Sequence, residues 1–349
     1  MDVPESVVNA WAGVRDPITL RLASAKPGSA PCVVYCGQDN GRTSAYQQRM
    51  CLMTPDVEIE AVVAEIRRLD PQGEKIATVL RSTLDQLYNG QHTGHYRWDQ
   101  LHKTEKTHCG TLIEINLCRE FKFADGARLD YRIAGVEVDC KYSQSMYGWM
   151  IPCEAVHHLC LLMWASDDTS EWSLGIIRIE NHILTRGGNR DLKRTISVTG
   201  RNSIQWIFQN APLQPNILLH LPRAIVDAIM SLQSGQQRID QLFRVAQRQR
   251  IGRGVIATLG QQEDYMKRVR SSRNNLKAEG FVILGQYDAH KRIAQSLRVP
   301  VPEKGESVSV QLALAEQAGQ HVVKLDSKLW RVATESDPVT KAPVVPHRQ

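Results

Sequence analysis

Residues 129 to 142 read Leu-Asp-Tyr-Arg-Ile-Ala-Gly-Val-Glu-Val-Asp-Cys-Lys-Tyr, and this stretch restricts the fold more than any other in the chain. After Gly135 apolar and charged residues alternate, so that Val136, Val138 and Cys140 fall on one side of a strand and Glu137, Asp139 and Lys141 on the other. Such a strand needs an apolar layer against one face only. With Ala134-Gly135 as a two-residue turn, the stretch becomes a β-hairpin in which Ile133 faces Val136 and, by register, Asp130 faces Asp139.

Like charges set opposite each other destabilise a sheet unless a cation lies between them. Oxygen donors of this kind suit Mg²⁺. Lys141, on the same face as Asp139, is placed to stabilise charge developing on a phosphate oxygen or to position an attacking water. The triplet is not distinctive by itself, because an acidic residue followed two places later by lysine also occurs at Glu120, Asp191 and Asp326. Strand-like alternation and the upstream Asp130 set the Asp139 copy apart. The pattern points to a metal-dependent phosphodiesterase centre, against the plainer reading of a solvated edge hairpin.

The 349 residues, 42% hydrophobic and 23% charged, describe a globular chain with room for two domains. The longest apolar run, Leu159 to Ala165, is far too short to cross a bilayer and reads as a buried strand, so a cytoplasmic location is expected. The eight cysteines show no Cys-x-x-Cys pairing of the kind that builds a zinc site and are expected to be reduced. The net charge of +6 is uneven: residues 181 to 300 hold 19 Lys/Arg against 7 Asp/Glu, leaving the remainder acidic. A basic segment joined to an acidic one is the distribution expected when one part grips a polyanion.

Residues 1 to 52, rich in turn-formers, are expected to form a loosely attached arm, with Met53 as an alternative start. A first region, 53 to 208, opens with Thr54 as N-cap, Pro55 in the first turn and Ile59, Val62, Val63, Ile66 and Leu69 as a helical stripe. A second helix is expected over 75–88, a weakly apolar loop over 91–108, and a helix over 110–123 packed on the hairpin. That last helix carries Glu114, a carboxylate that needs a partner if buried. Strands over 156–165 and 172–179 and a basic helix over 189–197, with Arg190, Lys193 and Arg194, complete an α/β (α+β) unit with a mixed sheet. Pro212 and Pro215 mark a linker at 209–215.

The second region, 216 to 349, is expected to begin with a strand over 217–220 and helices over 222–232 and 236–250. A short helix over 255–260, a glycine turn and a basic helix over 261–270 then make a helix-turn-helix pattern, and strands over 280–284, 307–313 and 321–332 suit a winged variant. Arg253, Lys267, Arg268, Arg270 and Arg273 are its candidate DNA contacts, to phosphates more than to guanine edges. A Pro-rich tail from Pro338 is expected to be loose.

Longer blocks carry a resemblance. Thr83 to Tyr88, Trp98 to His108, Gly110 to Leu117, Val138 to Lys141, Trp164 to Asp167, Asn189 to Arg194, Ile256 to Thr258, Met266 to Arg270 and Ala342 to Pro346 together resemble the NaeI-type restriction endonucleases, over about Thr54 to Pro346. The resemblance implies an N-terminal endonuclease domain with the PD-(D/E)xK core and a C-terminal winged-helix domain of the CAP type. It implies that Asp130 and Asp139 bind Mg²⁺, that Cys140 lends its main-chain carbonyl, that Glu114 is the helical acidic residue, and that Lys141 assists the water. It further implies a homodimer that cuts a GC-rich palindrome, GCCGGC in the type member, and is activated by a second copy of the site bound in the C-terminal domain. Leu87-Tyr88-Asn89-Gly90 resembles the Lys-x-Asp-Gly of nucleotidyl ligases, but a leucine stands where the nucleophilic lysine belongs. The alternatives are a DNA-binding transcriptional regulator with an inert hairpin and a nicking or repair nuclease of the same core.

Overall fold

The Ala134-Gly135 turn is where the sheet takes its register. Both residues adopt left-handed backbone, with φ of 50° and 84°, the geometry that closes a two-residue hairpin with the twist of its strands. In the computed structural model, which describes residues 56–345, the turn joins β2 (Tyr131–Ile133) to β3 (Val136–Ser143) with Ile133 opposite Val136 and Tyr131 opposite Val138, as expected. The expected arm, Met53 and the Thr54-Pro55 helix start lie outside the described residues. β1 (Ala124–Asp125) pairs with β2, β3 runs parallel to β4 (Leu159–Ser166), and β5 (Glu171–Arg178) and β6 (Gln205–Pro212) follow antiparallel. The six strands therefore lie side by side in chain order.

Helices α1 (Val57–Leu69), α2 (Glu74–Tyr88) and α4 (Lys103–Phe121) cover one face, where Val62, Leu80, Leu84, Ile113 and Leu117 share a core with Val138, Cys140 and Leu161. Irregular segments cover the other, bringing Trp149, Ile151, Ile183 and Ile196 onto Cys160, Leu162 and Ile177. β4 is thus buried on both faces, which is why its sequence is continuously apolar instead of alternating. α4 starts seven residues earlier than expected, inside the stretch that reads as a loop, because the Glu105 carboxylate accepts the His102 N–H at 2.7 Å and caps it.

The basic helix expected over 189–197 does not form. The Asn189 side chain accepts N–H groups of Asp191 and Lys193, Arg194 pairs with Ile151, and Leu184 pairs with Ile196. An asparagine that binds its own following backbone competes with the helical ladder.

β6 runs through Pro212, so residues 209–212 belong to the sheet. Ile217–His220, expected as a strand, is a helical turn, α5, whose first turn is capped by Asn216. Next come α6 (Arg223–Met230), α7 (Gly235–Val245), β7 (Ile251–Gly252), α8 (Arg253–Gly260) and α9 (Tyr265–Asn275). β8 (Phe281–Leu284), α10 (Asp288–Ser296) and β9 (Glu306–Leu314) follow, and α10 has no counterpart in the sequence reading. The strand expected over 321–332 is a hairpin of β10 (Val323–Leu325) and β11 (Lys328–Val332), broken where Asp326 and Ser327 both turn left-handed, with φ of 47° and 62°. β7, β8 and β11 all pair with β9.

α8 lies against the short helix α3 (Gly90–Thr93), and its Gly254 meets Asp85 of α2. A β-carbon on Gly254 would stand 2.1 Å from Oδ2 of Asp85, and one on Gly90 2.0 Å from Oγ1 of Thr258, so both positions are held to hydrogen. Asp85 in turn meets Arg81 at 2.8 Å, and Arg81 reaches the buried Asp167 at 2.5 Å, where the Tyr88 hydroxyl donates at 2.9 Å. Arg81→Leu strands Asp167 without its cation, and chemical denaturation is expected to show a loss of about 3–5 kcal/mol.

Candidate active site

β2 and β3 part company after the Tyr131–Val138 pair, and the functional groups gather at that opening. There the Cys140 N–H donates to Oδ2 of Asp130 at 2.8 Å, a side chain taking the place of a strand partner. The Lys141 ammonium donates to Oδ1 of Asp139 at 2.6 Å and to the Cys140 carbonyl at 3.0 Å, and stands 3.5 Å from Oδ2 of Asp130. The facing of Asp130 and Asp139 expected from the hairpin register is realised through this shared cation. Asp139 is 4% exposed, because Cys160 on β4 and the covering segments close over it.

Asp130 sits at the end of a loop tied down by Glu137. That carboxylate accepts the N–H groups of Ala127, Arg128 and Leu129 and an N–H of Arg132, and these bonds hold its pKa down at about 2. Glu137, read from the sequence as part of the chemical face, therefore serves to fix the approach to Asp130. α4 is anchored from the same strand, since the Tyr131 hydroxyl donates to the Glu114 carbonyl at 2.8 Å.

Burial lifts the Asp139 carboxyl to about 6, against the pull of Lys141. Burial also works against the charge of Lys141, but the Asp139 carboxylate outweighs it and holds the lysine above its ordinary value. Glu114 is pushed up to about 7, first by burial and then by Asp130, with Lys141 and Lys193 pulling the other way. Glu114 therefore belongs to the same electrostatic cluster. Glu154, whose carboxylate is held below its ordinary value by its own backbone N–H and by the Cys153 thiol, is exposed.

Among the described residues no three His, Cys, Asp or Glu side chains converge as a metal cage. What converges is two carboxylate oxygens and one main-chain carbonyl, all aimed at the Lys141 ammonium. Three hard oxygens already gathered around a cation fit a divalent ion of the Mg²⁺ type, with the ammonium as its stand-in.

The candidate DNA-contacting cations divide. Arg190 and Lys193 are exposed on the 186–194 loop, whereas Arg194 donates to Oδ1 of Asn181 at 2.7 Å. On α9, Lys267 and Arg270 point to solvent, Arg270 3.9 Å from Asp264, and Arg268 donates to Gln262. Arg253 is exposed but rests on the Tyr265 ring, 5.5 Å from its centroid, and bonds the Tyr265 hydroxyl. Arg273 is half-buried and donates to the Ile283 carbonyl at 3.0 Å, tying α9 to β8. Among the described residues no helix is long and apolar enough to cross a membrane.

A six-stranded mixed sheet with a carboxylate pair and a lysine at the mouth of its hairpin is an arrangement suited to phosphodiester hydrolysis. The sequence model of the family described as "Restriction endonuclease NaeI" matches residues 60–341. The chain is also 46% identical over 305 residues to the "Type II restriction enzyme NaeI" of Lentzea aerocolonigenes, covering 84% of this chain and 96% of that protein. The chain belongs to the NaeI family of restriction endonucleases and is an enzyme of the site-specific deoxyribonuclease class.

The raised pKa of Glu114 has a thermodynamic counterpart. Its folded value of about 7 lies above the value of 4.5 taken for an ordinary glutamate, so the folded state binds the extra proton between those limits. Stability from this group is present below the lower value and is lost as pH rises through the upper one. In metal-free protein, Glu114→Gln is therefore expected to raise the melting temperature at pH ~8 relative to the parent, with the advantage vanishing near pH ~4.

Proposed function

We propose that the chain is a Mg²⁺-dependent type II restriction endonuclease that hydrolyses both strands of duplex DNA at a GC-rich palindrome of the GCCGGC kind. The observation that carries this reading is the convergence of Asp139, Asp130 and the Cys140 carbonyl on one cation, next to Glu114. Asp130, Asp139, the Cys140 carbonyl and Glu114 would hold Mg²⁺. When bound there, such an ion would activate a water for attack near neutral pH and offset charge on the phosphate.

The chain's own groups divide the remaining work. Lys141, which stands beside those oxygens, would present its ammonium to the attacking water and to a non-bridging phosphate oxygen, where it would stabilise the developing charge. The Cys140 N–H keeps Asp130 in place, and the Tyr131 hydroxyl fixes the α4 turn that carries Glu114. The buried surroundings of Asp139 strengthen each of these attractions.

For the rest of the chain we propose an endonuclease domain reaching to about residue 212, where β6 ends, and a winged-helix domain from about residue 216, in which α8 and α9 form the helix-turn-helix and the β9 sheet the wing. The exposed Lys267 and Arg270 of α9, with Arg253 at the start of α8, support binding of a second copy of the site there, and with it activation of cleavage. A palindromic target calls for a homodimer, because two-fold symmetric DNA presents two equivalent scissile bonds.

Plasmid digestion provides the test. With Mg²⁺ the parent chain is expected to linearise a plasmid bearing the site and with EDTA to leave it intact; accumulation of open circles alone would identify a nicking enzyme. Asp139→Ala and Lys141→Ala are each expected to lower the cleavage rate by about 10²–10⁴-fold while retaining DNA binding in a mobility-shift assay. Equal loss of binding and cutting would assign these residues to the fold.

A further inference from the structure

The segment from Thr185 to Thr195 is closed at its base, where the Thr185 N–H donates to the Thr195 carbonyl at 2.9 Å and Arg194 pairs with Ile151. Its tip is closed as well: the Asn189 N–H donates to the Lys193 carbonyl at 2.9 Å and the Leu192 N–H to the Asn189 carbonyl at 3.0 Å. The Asn189 side chain bonds the backbone of Asp191 and Lys193 from within. This bonded frame displays Leu192 at the apex, 74% exposed and with φ of 60°, a backbone region that side chains other than glycine avoid. The bonded turn holds the left-handed backbone, and intramolecular packing leaves the Leu192 side chain uncovered.

The surroundings identify what the leucine meets. Arg186, Arg190 and Lys193 are exposed around it, with Asp191 as the one acidic residue between them. Among the described residues, Arg186 and Arg190 make no side-chain hydrogen bond or ion pair. A second copy of this loop would bring like charge against like charge, whereas a polyanion would be drawn in. The base of the loop is joined to the cover of the catalytic cluster: Arg194 pairs with Ile151, Ile151 shares a buried core with Cys160, and the Cys160 thiol donates to Asp139 at 3.7 Å. Apolar side chains carried into a DNA groove by arginine and lysine act as wedges that partly unstack a base step.

We propose that the 186–194 loop is a DNA-probing element of the cleavage site, in which Leu192 enters the groove beside the scissile phosphate as a wedge while Arg186, Arg190 and Lys193 clasp the flanking phosphates. The inference rests on the restriction-endonuclease reading and adds to it a residue that senses how readily the DNA deforms.

Leu192→Gly in the full chain removes the side chain and relieves the left-handed backbone, so the melting temperature is expected to hold or rise. Plasmid cleavage is expected to fall at least about ten-fold. A duplex carrying 2-aminopurine next to the cleaved bond is expected to brighten on binding the parent in EDTA and to stay dim with Leu192→Gly. Arg190→Ala with Lys193→Ala should weaken binding and flatten its salt dependence. A parent that cuts and a Leu192→Gly variant that cuts as fast, with the fluorescence rise intact, would overturn this inference alone. A parent that leaves every plasmid intact would overturn both readings.

Discussion

Two carboxylate oxygens and a peptide carbonyl held around the Lys141 ammonium are the interaction on which the rest of this end of the molecule depends. Each neighbouring device keeps one of those oxygens in position. The left-handed turn at Ala134-Gly135 fixes the register that brings Asp139 level with Asp130. Glu137, spent on three backbone N–H groups, holds the loop from which Asp130 projects. The parallel pairing of β3 with β4 seats Asp139 beside Cys160 and beneath an apolar cover. Without the ammonium, the two carboxylates would face each other in a partly dry pocket, an arrangement that sheet pairing does not tolerate.

The hairpin was legible because its determinants are local. Alternation at 136–141 and a turn able to take positive φ lie within a few residues of each other, and the structure follows them. The approach of Glu114 was legible only as a position on a helix. Its neighbour Ile115 is 39% exposed while Glu114 is half-buried, an inversion of the hydrophobic order that follows from docking on Tyr131. The 189–197 segment misled because cations spaced three and four apart imitate a helical face. Asn189 had already committed those backbone groups to itself. The joining of the 186–194 loop to the cover of the centre left no mark in the sequence, since it depends on the Ile151–Arg194 bridge between distant stretches.

The basic character of residues 181 to 300 was equally plain, and equally coarse. Charge counting does not separate an arginine that holds helices and strands together from one that awaits a ligand. Arg273 and Arg194 are engaged with a backbone carbonyl and an asparagine, and Arg253 leans on a tyrosine ring, while Lys267, Arg270 and Arg190 face water. The snorkelling geometry of long side chains makes both uses available from the same composition.

The contact of Gly254 with Asp85 gives the chain an internal gauge. Asp85 is pinned by Arg81, Arg81 by Asp167, and Asp167 lies just past the end of β4, so the sliding of α8 is registered at the far rim of the six-stranded sheet. Removing one partner of a buried ion pair leaves the other charge uncompensated. A side chain larger than hydrogen at residue 254 would therefore press first on the Asp85 carboxylate and, through Arg81, on the buried Asp167.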